Sequence, residues 1–165
     1  MSEAAITEAS GRQPRPMDLQ RIMQLLPHRY PILLVDKVLD YEPKQWIRGV
    51  KNVTANEQIF QGHFPKRPVL PGVYIVEAMA QTGGCLIMQE FDDLEKKVIY
   101  FMAIDAVKFR RPVVPGDQLV MEVKVLNFKG RICKLRGEAF VDGQKVAEAE
   151  FMSMLQDLND EEAGK

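Results

Sequence analysis

Apolar and polar positions follow two rhythms along this chain, and the change from one to the other marks its elements. Between Asp18 and Leu26, the residues Leu19, Ile22, Met23, Leu25 and Leu26 fall at helical spacing and Pro27 ends the run, which predicts a short amphipathic helix. The stretches 32–41 (ILLVDKVLDY) and 45–54 (QWIRGVKNVT) flank Glu42-Pro43-Lys44 and predict a β-hairpin. Residues 55–71, with Gly62 and prolines at 65, 68 and 71, predict a loop. From Gly72 to Phe91 the chain is apolar almost all the way round, which predicts a buried helix opening just after Pro71. Such a helix is about 28 Å long, enough to cross a small domain. Glu77, Gln81 and Thr82 are its polar members before Gln89, and Glu77 and Gln81 share one face. Gly83 and Gly84 would each cost ~1 kcal/mol relative to Ala inside a helix, so a strand or second helix is expected to pack closely there.

The remainder reads as β-structure. The runs 98–104 (VIYFMAI) and 106–111 (AVKFRR) precede a turn at Val114-Pro115-Gly116-Asp117, and Leu119, Met121, Val123 and Val125 then alternate with more polar neighbours. Residues 131–141 and 145–155 flank Asp142-Gly143, a hairpin signal. Ala147, Ala149 and Phe151 are expected to face the core, with Glu148 and Glu150 toward solvent. Meandering strands joined by short turns imply an antiparallel sheet, and the apolar helix has to be buried against it. The predicted class is α+β, a sheet wrapped around a long central helix.

Length and composition narrow the function. A chain of 165 residues with 46% hydrophobic and 27% charged residues suits one soluble globular domain. The net charge of -1 hides an uneven distribution: the two acidic ends leave a core of +4. Residues 1–16 and 156–165 read as flexible polar tails around a single domain at 17–155. A near-neutral chain argues against nucleic-acid binding, and no apolar run reaches the ~18–20 residues of a membrane span. The N-terminal stretch lacks the apolar core of a signal peptide. Cys85 and Cys133 make no paired-ligand spacing with His28 and His63, so neither a metal site nor a disulfide framework is expected, and a reducing, cytoplasmic setting fits.

With two histidines in the chain, acid–base chemistry near neutral pH rests on few candidates. His28, between two prolines in LPHRYP, reads as a turn or packing residue. His63 lies in GHFPKRPVLPG, where three prolines stiffen the backbone around it. Glu77, in an otherwise apolar helix, is expected to have its pKa raised by burial and so to be able to donate a proton. The first N–H groups of that helix, at Gly72 and Val73, have no partners within it and suit a carbonyl oxygen gaining negative charge. A base, an acid and an oxyanion site suit removal of a proton beside a carbonyl with loss of hydroxyl from the next carbon.

The segment HFPKRPVLPGVYIVEAMAQ resembles the active-site signature of the bacterial 3-hydroxyacyl-[acyl-carrier-protein] dehydratases of the FabZ type. The resemblance runs through LLPHRYPILLVDKV, YFMAIDAVKFRRPVVPGD and VDGQKVAEAEFMSML, from about Leu25 to Leu155. It implies a hot-dog fold, a homodimer whose sheets join, and often a trimer of dimers. It implies that His63 and Glu77 are the catalytic pair, meeting across the dimer interface, with Gly72 and Val73 holding the thioester carbonyl. The implied reaction turns a (3R)-3-hydroxyacyl thioester into the trans-2-enoyl thioester in fatty-acid elongation, without a cofactor. In a source that makes lipid A, the same activity would feed its precursors. Glu77 stands where the sibling dehydratase/isomerase type carries Asp, which favours a plain dehydratase. The implied partner is acyl carrier protein bearing a phosphopantetheine-linked acyl chain. As that carrier is acidic, docking is expected on Lys66, Arg67, Lys108, Arg110 and Arg111. Lys129 and Arg131 read as a solvated turn. Tyr100, Phe101, Met79 and Met102 are candidates to line an acyl tunnel. A hot-dog thioesterase and a non-enzymatic acyl-binding module are the competing readings.

Overall fold

The computed structural model describes residues 12–158. Its elements are α1 (Leu19–Leu25), β1 (Lys37–Glu42), β2 (Trp46–Asn52), α2 (Gly72–Met88), β3 (Lys97–Phe109), β4 (Gln118–Lys129), β5 (Ile132–Val141) and β6 (Gln144–Asp157). Short 3-10 turns at Gln58–Gln61 and Leu94–Lys96 add to what the pattern predicts. Asp18 caps α1 by accepting the Arg21 N–H at 2.9 Å. All strand pairs are antiparallel, in the order β1-β2-β4-β5-β6-β3.

The inner face of the sheet packs on α2 through β2, β4, β5 and β6. The helix is buried from Ile75 onward apart from Glu77 and Ala80, and this follows from its nearly all-apolar sequence. The two glycines have the close neighbours expected of them. A Cβ at Gly83 would stand 2.6 Å from Leu135 Cδ1 on β5, and one at Gly84 would stand 3.2 Å from Leu26 Cδ2 beyond α1. Loss of side chains there lets a strand and a helix end approach the same stretch of α2 from two sides.

Along β6, Ala147, Ala149 and Phe151 face the core as the alternation predicts. Glu148 differs from expectation. It is covered by cations rather than open to solvent: Arg110 Nη2 lies 2.8 Å from Oε1 and Lys145 Nζ 3.2 Å from Oε2. The two pieces expected at 98–104 and 106–111 are one continuous strand, β3, with register shifts at Phe101/Ala103 and Asp105/Lys108. Ala106, at φ 51°, absorbs the second shift. β3 forms one edge of the sheet, paired to β6 alone, and exposes Phe101, Met102, Ile104 and Phe109.

The chain ends differ from the expected tails within the described residues. Arg12 is fastened to β1 through Asp40 and Glu42, each at 3.0 Å, and Met17 forms a bridge to Val38. Asp157 closes β6 in ion pairs with Lys97 and Arg131. The rest of the expected tails, 1–11 and 159–165, lies outside the described residues.

Candidate active site

Two clefts lie along α2. The first surrounds its N-terminus and is lined by His63, Gly72, Val73, Phe109, Arg110 and Arg111. The loop carrying His63 is tied down on both sides: its N–H donates to the Ile59 carbonyl at 2.9 Å and its carbonyl accepts from the Val69 N–H at 3.0 Å. The His63–Phe64 peptide is cis, and the two rings stack at 4.1 Å. His63 Nδ1 lies 2.7 Å from the Val69 carbonyl oxygen. A carbonyl can only accept, so Nδ1 carries the hydrogen and the lone pair is on Nε2. A half-buried imidazole held in this tautomer is a base with its accepting nitrogen fixed.

The start of α2 has no side-chain cap. Pro71 precedes it, and the N–H groups of Gly72 and Val73 belong to the first turn, where no helical carbonyl reaches them. A Cβ at Gly72 would stand 2.7 Å from the Phe109 ring, so a side chain there would displace that ring from the cleft wall. The helix start therefore offers two open donors and the positive end of the dipole beside His63.

The second cleft lies further along α2 and contains Glu77, Gln81 and Gly84 together with His28 and, from β3, Phe101. Gln81 is buried and uses its whole amide: Oε1 accepts from Leu34 N–H, and Nε2 donates to the Ile32 carbonyl and to Glu77 Oε1, each at 2.8 Å. His28 Nε2 stands 3.4 Å from the same Oε1. These contacts reverse the expectation for Glu77. His28 first, and Gln81 after it, hold the carboxyl below its ordinary value, outweighing the burial that pushes it up. Burial alone would raise it, and the partners that lower it lie across the fold.

His28 is likewise more than a turn residue, since it faces Glu77. Its sequence signal is the pair of prolines around it, Pro27 and Pro31, which resembles the stiffening around His63. The remaining candidates separate. Met79 is wholly buried, packs at Gly137 on β5 and lines neither cleft. Phe101 lines the second cleft, whereas Tyr100 and Met102 are exposed on β3 and are not among the residues that line it. Lys66 and Arg67 are exposed just past His63. Lys108 and Arg110 share Glu148, at 3.6 and 2.8 Å, and Arg111 bonds to Gln144. Of the turn cations, Arg131 is paired with Asp157 at 3.0 Å. Among the described residues, no group of three or more His, Cys, Asp or Glu gathers as a metal site. No described helix is long and apolar enough to cross a membrane.

Known proteins share both the sequence and the architecture. A family profile described as the FabA-like domain matches residues 26–150. A 3-hydroxyacyl-[acyl-carrier-protein] dehydratase FabZ of Campylobacter hominis is 52% identical over 143 residues, 86% of this chain and 99% of that one. The protein of the same name in Haemophilus ducreyi is 51% identical over 149 residues, 90% of this chain and 97% of that one. Among solved structures, the dehydratase heterocomplex ApeI:P of Xenorhabdus doucetiae aligns with TM-score 0.71 at 16% identity, over 93% of this chain and 99% of that one. A hot-dog-like protein of Thermanaerovibrio acidaminovorans aligns with TM-score 0.61 at 17% identity, over 74% of this chain and 89% of that one. The sheet around α2 is thus a hot-dog fold, and the chain belongs to the FabA-like family, within it to the 3-hydroxyacyl-[acyl-carrier-protein] dehydratases of the FabZ type.

Proposed function

We propose that this protein removes water from (3R)-3-hydroxyacyl thioesters borne on acyl carrier protein, giving the trans-2-enoyl thioester in fatty-acid elongation. The geometric observation that carries this reading is the state of His63: with Nδ1 committed to Val69, Nε2 keeps its lone pair beside a helix start whose first donors are open. The thioester oxygen seats on the Gly72 and Val73 N–H groups, where negative charge is stabilised as it develops. His63 Nε2 takes the C2 proton, the electrons of that bond form the C2–C3 double bond, and the C3 hydroxyl leaves with a proton passed through Glu77. The elimination is redox-neutral, and these side chains supply both proton transfers.

The proposed active unit is a homodimer. Within one chain His63 and Glu77 line different clefts, and Glu77 lies about 7.5 Å along the axis from Gly72. The long β3 edge, with its exposed apolar side chains, is suited to pairing with the same edge of a second copy. Such pairing would serve Glu77 of one protomer with His63 of its partner. A trimer of dimers, working in the cytoplasm, completes the proposed assembly. Lys66, Arg67 and Arg111 form the proposed carrier-docking rim with Lys108 and Arg110 behind them, and Phe101 is the tunnel residue retained, with Tyr100 as a gate. Hydration of crotonyl carrier, followed by loss of enoyl absorbance, tests the activity. Release of free thiol would instead indicate a thioesterase, a cis-3-enoyl product the isomerase, and binding without turnover an acyl-binding module.

A further inference from the structure

The Glu77 cleft contains a second titratable group with an unusual account of its hydrogen bonds. His28 turns Nε2 toward Glu77 Oε1 at 3.4 Å, while its other ring nitrogen, Nδ1, is buried without a hydrogen-bond partner. A residue that merely filled space would carry the desolvation cost of Nδ1 with nothing in return. Arg29 fixes the backbone at this point, donating to the carbonyls of His28 at 2.7 Å and Leu26 at 2.9 Å. The ring is therefore held, and what it is held against is the carboxylate.

We propose that His28 is a positioning residue that acts through Glu77: with Gln81 it pins Oε1, leaving Oε2 for the substrate hydroxyl, and the proton shared by the His28–Glu77 pair is the one that departs with that hydroxyl. This rests on the dehydratase reading of the site. It resolves a difficulty there, because a carboxyl held low by its neighbours is ionised near neutral pH and has no proton of its own to give. His28, protonated on both ring nitrogens, gives its Nε2 proton to the Glu77 carboxylate and becomes a neutral imidazole with its hydrogen on Nδ1. The carboxyl passes a proton to the hydroxyl oxygen as the C3–O bond breaks, and the C2 proton ends on His63. One proton has left His28 and one has reached His63, and exchange with solvent water restores both. Among the described residues of one chain no other titratable group lines this cleft, and in the proposed dimer the partner's His63 meets Glu77 from the far side. β3 contributes Ile99 and Phe101, β6 contributes Ser153, the end of α1 contributes Leu26 and Pro27, and Arg29 is engaged with backbone carbonyls.

The test is the pH profile of kcat and KM for the full-length parent, His28→Gln and Glu77→Gln on carrier-linked 3-hydroxyacyl substrate. His28→Gln keeps a donor for Oε1 and close to the original volume, so the carboxylate stays oriented, but it holds no mobile proton. Its kcat should fall about tenfold near pH 8 with KM changed less than about twofold, and its alkaline limb should move about one unit or more toward acid. His28→Leu, which also loses the donor, should fall further than His28→Gln. A His28→Gln profile that superimposes on the parent would overturn the proposal and leave His28 a packing residue. If Glu77→Gln keeps normal turnover, it is the assignment of the site that fails.

Discussion

His63 Nδ1 donates to the Val69 carbonyl oxygen across 2.7 Å, and that bond decides which ring nitrogen can act as a base. The acceptor is main chain, so the tautomer does not depend on a neighbouring side chain. Replacing His63 with Ala should nearly abolish turnover while melting remains close to that of the parent, since the ring is half-buried in a loop outside the core. His63→Asn should be no better, because an amide that donates toward Val69 offers no basic nitrogen. Single-turnover assays with circular dichroism melts check both.

Gly83 meets β5 directly. The Cβ added by Gly83→Ala would lie 2.6 Å from Leu135 Cδ1 and 3.2 Å from Val123 Cγ1, both in the packed core. The helix-propensity gain of ~1 kcal/mol is outweighed when the clash displaces two strands, so a net loss of about 1–3 kcal/mol is expected. Urea unfolding reads it as a lower midpoint with unchanged slope. An unchanged midpoint would mean that β5 moves aside freely.

Charge reversal at the rim should separate docking from chemistry. Lys66→Glu with Arg67→Glu leaves every ion pair described here intact, whereas Arg110→Glu also opposes Glu148, which Arg110 meets at 2.8 Å. The Lys66/Arg67 double variant should raise KM for carrier-linked substrate, increasingly so at low salt, and leave KM for a small thioester analogue unchanged. Equal effects on both substrates would reject docking at that loop.

Glu77 has a signature in acid. Its folded-state carboxyl is held below the ordinary value by His28 first and Gln81 next, so its stabilising contribution is present above the ordinary carboxylate range and lost as pH falls through the lowered value. The parent should therefore lose more stability than Glu77→Gln between neutral pH and strong acid. Denaturant midpoints measured across that range check the sign, and parallel lines for the two proteins would contradict it.

The legible parts of this fold were those that depend on neighbours in sequence. α2 is apolar on nearly every side, so its burial could be read directly, and the Gly83-Gly84 pair announced close packing from outside. β3 looked like two pieces because Ala106, with φ 51°, breaks the alternation without breaking the strand. What escaped were contacts made only by folding. The approach of His28 to Glu77, the double use of the Gln81 amide and the cations over Glu148 all join distant segments, and the first two reversed the expected shift at Glu77. The packing of Met79 is of the same kind, since nothing local says that its sulfur meets Gly137 on β5.

The central claim is that one active site is built from two chains. Co-expressing His63→Ala and Glu77→Gln under separate tags and purifying the doubly tagged species tests it most directly. Each mixed dimer would hold one site with both residues intact and one with neither, so random mixing of the two inactive variants should restore about a quarter of parental turnover, in a doubly tagged hexamer as well, and a doubly tagged species that is a dimer about half. Mixed dimers that form and fold but stay as inactive as either variant alone would contradict a shared site.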